Sequence, residues 1–491
     1  MIFSCIFVRR MMYSLQAHPG RAQSSETPTR TGMRDMSQHS SFRRRATRLI
    51  TTGAVVATGL LVLSACSTGA EEGGDSEYGF AAAEQVADSP ITVWVDASRE
   101  PAVTAFQEAY PDIDVVLETY DGNAGGSGSF QSKISLMDQA GDGWPDVVFS
   151  TQQNDAIWAS KDTPNGEAGF AAPLNEGFID QEFLDGFADG SLDYATIDGT
   201  VYGLRNDLAQ TVFYYNQKLL DEFGYEVPTT WEEYAELGDQ LAAEHPGYIL
   251  GSMGDSFMTY IYYGGSESPV FQSPEAGVFH SDTSDENAQK ISEIIDGMLE
   301  NGTLVQDSFF SAEFAANYAD KLVGVPGPVW YTGAIFQGGL ATPAGEIGVA
   351  PPLSWEGGDV AAGNVGGGIW YASRHSENLE AVKTFLEFVT SADEFQVEAS
   401  SGYPAYTSAA EKWLDKQAEA GYFVNDDFKT VMSDAAGQIW GGWNVTPWSP
   451  ETAWAKVVIP GMAEGESVVS LLPAWQTELE NEATVNGYTV E

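Results

Sequence analysis

The side chains here that could do chemistry are aromatic and acidic, not nucleophilic or metal-binding. The chain has 13 Trp and 21 Tyr, and every Trp follows Cys66. Trp330, Trp370, Trp440, Trp443 and Trp448 stand out. The run from Gln438 to Trp448 has no helical period and is broken by Gly441 and Gly442, so it reads poorly as core. Flat aromatic faces take the apolar faces of sugar rings, and planar polar side chains bond the hydroxyl rim. Candidates for that polar rim follow strand-like segments. Asp96 and Ser98 follow Ile91–Val95, while Gln152, Gln153 and Asn154 follow Asp146–Phe149. Asp207 and Asp255 stand in loops further on. Ligands gather at the carboxyl ends of strands in open α/β sheets, although a lone loop Asp or Asn serves turn geometry by default.

Enzyme chemistry finds less support. There is no Gly-x-Ser-x-Gly and no His-Glu-x-x-His, and the three His after Cys66 (His245, His280, His375) are scattered. Nothing points to a catalytic residue, a metal or a cofactor. A secreted glycoside hydrolase needs two carboxyls about 5–10 Å apart. With 69 Asp and Glu after Cys66, counting acids decides nothing, so that reading stays open beside a binding protein for a non-sugar solute.

These groups need a scaffold, and 491 residues with 43% hydrophobic and 12% aromatic content provide one of two or more domains. The formal charge of −49 divides unevenly: the residues before Cys66 hold nine Arg against Glu26 and Asp35, and everything after is strongly acidic. Such a surface repels nucleic acid and anionic headgroups, so no nucleic-acid partner is expected.

Residues 40–66 have the pattern of a secretion signal. Arg43, Arg44, Arg45 and Arg48 precede an apolar stretch from Leu49 to Leu63, which is too short and too rich in Thr and Gly for a membrane span. The segment ends Leu63-Ser64-Ala65-Cys66 and resembles a bacterial lipobox, in which the cysteine is acylated before cleavage. Cys5 is the only other cysteine. Met33 and Met36 are alternative starts. Residues 1–65 are thus assigned to an upstream extension and signal, with lipidation at Cys66. Residues 66–88, rich in Gly, Glu and Ala, are assigned to a flexible tether.

From Ile91 strand-like and helix-like segments alternate. Ile91–Val95, Ile113–Thr119, Asp146–Phe149, Ile347–Ala350 and Gly367–Ala372 read as strands. Glu100–Tyr110, Lys133–Ala140, Asn216–Phe223, Thr230–Glu244, Ser284–Glu300, Ser311–Lys321 and Leu379–Thr390 read as helices. Thr230 with Glu233 predicts a capping box, and Ser376 is the expected cap of the 379–390 helix. The pattern implies an α/β fold with a mostly parallel sheet. Trp94, inside the first strand, and Trp231, at a helix start, are assigned to packing, and so is Trp370.

In this order, six segments resemble the extracellular solute-binding proteins of ABC importers, specifically the sugar-binding group that includes maltose-binding protein. They are Gly143–Phe149, Asp198–Gly203, Phe213–Leu220, Pro228–Glu233, Gly327–Trp330, and Gly367-Gly368 leading into the helix with Ala381, Phe385 and Phe388. The chain departs from the pattern at Arg205, where a proline is usual, at Val329, an extra residue within Gly-Pro-Trp, and over Ser266–His280, which has no counterpart.

The resemblance implies an α/β, two-lobed periplasmic-binding-protein-like fold (type II) that closes by hinge motion. Lobe 1 would hold 89–205 and 353–400, and lobe 2 would hold 206–352 and 401–491. The chain would cross between them near Arg205–Asp207, Pro351–Trp355 and Ser400–Tyr403. It places Trp330 in the cleft and raises Asp207, Asn154 and Asp255 above turn-formers. The full expected ligand set is Trp330, Asp207, Asn154, Gln153, Asp255, Trp443, Trp448, Asp96 and Tyr403. Arg205 reads equally as a hinge salt bridge or a ligand contact. Implied partners are a carbohydrate, ABC permease subunits and, through Cys66, the outer face of the cytoplasmic membrane, with the protein a monomer.

Overall fold

The computed structural model describes residues 78–120, 127–163, 166 and 168–491. The basic leader, Cys66 and most of the expected tether lie outside them.

The first lobe is built on a five-stranded sheet in the order Val115–Thr119, Ile91–Val95, Val147–Ser150, Ile369–Ala372, Leu204–Arg205. The first three strands are parallel, linked by the helices Glu100–Ala109 and Ser127–Ala140, because parallel neighbours need a long crossover. The β-branched runs of Ile91–Val95 and Val147–Ser150 are mostly buried, while Val115–Thr119 at the sheet edge is not. Ile369–Ala372 runs antiparallel, with Ile369 opposite Ser150 and Arg205. It therefore enters the sheet at the carboxyl edge of its neighbours, where Leu204–Arg205 leaves. That edge is where the chain passes to and from the second lobe, so Asp96, Gln152, Gln153 and Arg205 cluster beside the crossings.

The second lobe centres on Thr211–Asn216, buried throughout and antiparallel to both Gly324–Pro328 and Ile347–Ala350. Helices surround it. Glu286–Asn301 buries Ala288, Ile291, Ile295 and Met298 at helical spacing, and Asp285 caps it. Trp231–Glu244 starts as predicted: the Thr230 hydroxyl accepts from the Glu233 N–H at 3.1 Å. The Glu233 carboxylate reaches one residue further back than the usual box, to the Thr229 N–H and hydroxyl, each at 2.8 Å.

Several expectations are corrected. Residues 78–88 are not free tether. Phe80 is buried against Phe178, and Gln85 bonds both the Ser376 carbonyl and the Leu379 N–H. Asn378, not Ser376, caps Leu379–Ser391; the Ser376 hydroxyl instead donates to Asp146. The second crossing lies at 364–368 rather than 351–355. Residues 354–363 belong with the second lobe: Ser354 pairs with Thr230, the Trp355 indole donates to the Ser266 carbonyl, and the Gly363 N–H donates to Thr211. The third crossing passes beside the first, with Leu208 N–H donating to the Tyr403 carbonyl and Asp207 bridged to Pro404. Beyond it, Thr407–Ala420 pairs Lys412 with Asp393 and Lys416 with Glu398, both residues of the first lobe.

Candidate functional site

A cavity of about 630 Å³ lies against the crossings. Ser98, Arg99, Gln152 and Gln153 come to it from the carboxyl edge of the first sheet. Asp207 and Gly366–Gly368 form its floor, and Asp255, Phe257, Tyr260, Phe310, Trp330 and Glu451 come from the second lobe.

The floor is held by Arg205. Its side chain is buried and donates to the Asp207 carbonyl at 2.9 Å, the Asn364 side chain at 2.9 Å and the Gly366 carbonyl at 2.7 Å. The guanidinium also lies over the Tyr194 ring at 4.3 Å. Among the described residues it makes no ion pair. The salt-bridge expectation gives way to a cation held by neutral acceptors that tie the first two crossings together. Burial pushes its pKa down. The glycine pair is required here: Gly367 has φ +90, and a Cβ on it would sit 2.4 Å from both the Asp207 carbonyl oxygen and the Arg205 guanidinium. Gly368 has φ +48 and abuts the Phe149 ring.

Trp330 is fixed by its indole N–H, which donates to the Val365 carbonyl at 2.9 Å. Its ring packs edge-on to Phe257 and nearly parallel to Phe310 at 6.2 Å. Phe310 is 60% exposed and forms an apolar lip. Across the cavity Arg99 lies 3.5 Å from the buried Asp207 carboxylate, which also accepts from Asn206 at 2.8 Å. Only three arginines follow Cys66, and two of them are these at the crossings.

The structure thus brings together Trp330, Asp207, Gln153 and Asp255. It does not bring in the rest of the expected set. Trp443 lines a second cavity of about 590 Å³ with Tyr194, Arg205 and Asn364. Trp448 is buried among Phe271, Phe279 and Tyr488; a loop without helical period still fills core when strands from elsewhere close over it. Tyr403 is buried against Trp413. Asp96 caps the turn Ala97–Arg99 through the Ser98 N–H, so its carboxylate orients Ser98 and Arg99 without lining the cavity. Asn154 is half-buried and lines neither cavity. Trp94, Trp231 and Trp370 are core, as assigned.

Sequence reasoning missed Arg99, Tyr260, Phe310 and Glu451. The helix start that carries Glu451 is readable, with Ser449 capping Pro450–Ala463, but nothing in the sequence marks its carboxyl as lining the cavity. Burial, with the neighbouring Asp255 charge adding to it, pushes the Glu451 carboxyl up to about 7. Burial also raises Asp255, against donors from Ser308 and the Phe309 N–H.

These shifts have a consequence for stability. Asp155 and Glu482 are likewise pushed up to about 7, chiefly by burial. An acid whose pKa is higher folded than unfolded binds more protons in the native state between about pH 4 and 7, so stability falls as pH rises through that window. The protein is expected to melt a few degrees higher at about pH 5 than at about pH 8, each kcal/mol shifting a chain of this size by roughly 1–2 °C. Asp155→Asn should flatten the profile, and a wild-type profile that rises toward alkaline pH would contradict this assignment.

Relatives give the geometry a context. Residues 92–394 match the family described as bacterial extracellular solute-binding protein. The chain is 25% identical over 299 residues to the arabinooligosaccharide-binding protein of Halalkalibacterium halodurans, covering 59% of this chain and 63% of that relative's length. Among solved structures, it is similar to the ABC transporter associated binding protein of B. animalis subsp. lactis in complex with beta-1,6-galactobiose, with a TM-score of 0.66 and 19% identity over 82% of this chain and 99% of that one. It is also similar to the galacto-N-biose-/lacto-N-biose I-binding protein of the Bifidobacterium longum ABC transporter, with a TM-score of 0.64 and 17% identity over the same shares of the two chains. The likeness to solved structures shows a two-lobed binding-protein fold around the crossings described above, and the match across residues 92–394 shows that this chain belongs to the bacterial extracellular solute-binding protein family.

Proposed function

We propose that this protein binds a saccharide in the cavity beneath Trp330 and delivers it to an ABC-type permease. The observation that carries this reading is the cavity's make-up: Trp330 and Phe310 offer apolar faces, and Gln152, Gln153, Asp207 and Ser98 stand opposite as planar or hydroxyl partners. Sugar rings need that pairing. The named ligands of the relatives, arabinooligosaccharides and galactose-containing disaccharides, support the same class. Binding has no chemical step; a ligand touching both lobes favours a closed arrangement by its differential affinity. The protein acts as a monomer outside the cell, with Cys66 as its lipid attachment to the membrane.

Thermal shift against a panel of mono- and oligosaccharides tests this. A ligand of the folded state raises the melting temperature by mass action, by about 2.7 kcal/mol of added stability at a hundredfold excess over Kd. A shift with one sugar class, and no cleavage of it on long incubation, is the expected result. Shifts only with peptides, metals or polyamines would remove saccharides as the ligand class, and cleavage would favour the hydrolase reading.

A further inference from the structure

The cavity holds an excess of negative charge that its own residues do not balance. Asp207, Asp255 and Glu451 line it with Arg99, and Arg205 lies under its floor, so three carboxyls face two cations. Arg99 is engaged with Asp207. Asp255 accepts from the Ser308 hydroxyl at 2.6 Å and the Phe309 N–H at 2.9 Å. Among the described residues the Glu451 carboxylate has the Ser256 hydroxyl alone, at 3.5 Å, a distance at which a hydrogen bond is nearly lost. The titratable groups facing it are Asp255 and Tyr260. On its own helix the next cation, Lys456, is taken up by Glu478. The positive end of the helix Pro450–Ala463 offsets about half an elementary charge, which leaves the excess negative.

The same half of the cavity carries its aromatic rings. Phe257, Tyr260, Phe310 and Trp330 all come from the second lobe. Ring faces attract cations, most of all where water is thinned. A carboxylate short of donors beside such faces is complementary to a group that is both cationic and rich in N–H donors. A neutral hydroxyl would satisfy one lone pair of Glu451 and leave the charge unbalanced.

From this we infer that the ligand is a saccharide bearing an ammonium group, seated between Glu451 and the rings of the second lobe. The inference rests on the saccharide reading above and narrows it. It makes Glu451 the residue that separates amino sugars from their hydroxyl counterparts.

The test is calorimetric titration of matched pairs at near-neutral pH: glucosamine with glucose, galactosamine with galactose, and the β-1,4-linked dimers of each. At least one amine member is expected to bind about tenfold more tightly than its hydroxyl partner. That ratio should shrink with added salt and fall toward one in Glu451→Gln. The wild-type ratio alone decides the matter if that variant folds poorly. Equal or tighter binding of the hydroxyl member in every pair that binds would overturn the inference and leave the saccharide reading standing. No binding by any member, with no shift from other sugars, would overturn both.

Discussion

Replacing Arg205 with leucine is expected to destabilise the protein by about 3–5 kcal/mol. The substitution leaves the buried Asp207 carbonyl and Asn364 side-chain oxygen, and the half-buried Gly366 carbonyl, without their shared donor. Each unmet buried acceptor costs about 1–3 kcal/mol. Relief of the desolvated cation offsets part of that sum, because burying a guanidinium without a carboxylate partner is itself costly. Arg205→Lys should not rescue, since one ammonium cannot reach acceptors spread over two crossings as a planar fork does. Urea unfolding of the two variants is the measurement. A loss below about 1 kcal/mol in Arg205→Leu would mean the crossings are held mainly by their backbone pairs, such as Gln210 with Asn364.

The second large effect is on binding. Trp330→Ala is expected to weaken saccharide affinity by about 30- to 100-fold, or about 2–3 kcal/mol, the range of a buried aromatic anchor. Trp330→Phe should recover part of this, because it keeps a face beside Phe310 but loses the N–H bond to Val365. Trp448→Phe is the contrast: its ring lies among Phe271, Phe279 and Tyr488, so stability should fall while affinity holds. Titration and thermal unfolding of all three variants separate the two roles. Equal affinity in Trp330→Ala and wild type would move the platform elsewhere, with Trp443 in the neighbouring cavity the next to examine.

The contrast between these tryptophans shows what a linear reading reaches. Trp94 and Trp370 stand in β-branched or apolar runs whose period places them in a sheet, and both are buried. Trp330 follows a strand end and was placed by its motif. Trp448 has neither period nor strand, and its burial comes from Phe279, almost 170 residues away in sequence. Helix starts were legible where a side chain caps its own turn, as at Thr230, Asn216 and Ser311. They failed at Ser376, whose hydroxyl is claimed by Asp146 from another strand. Glu451 was hidden for a related reason: one carboxyl among 69 gains meaning only when burial and Asp255 single it out. The second crossing was misplaced because 354–363 has no period of its own and is held by bonds to Thr211, Thr230 and Ser266.

The stitching of residues 78–88 onto the first lobe has a mechanical side. Phe80 and Gln85 fasten this segment to Phe178, Ser376 and Leu379. A load pulling on the segment at Tyr78 is therefore borne by the first lobe, and among the described residues reaches the second through the three crossings and the ion pairs of Thr407–Ala420. In the proposed binding cycle the first lobe is then the mount and the second the moving jaw, with the angle between them set by the bound saccharide.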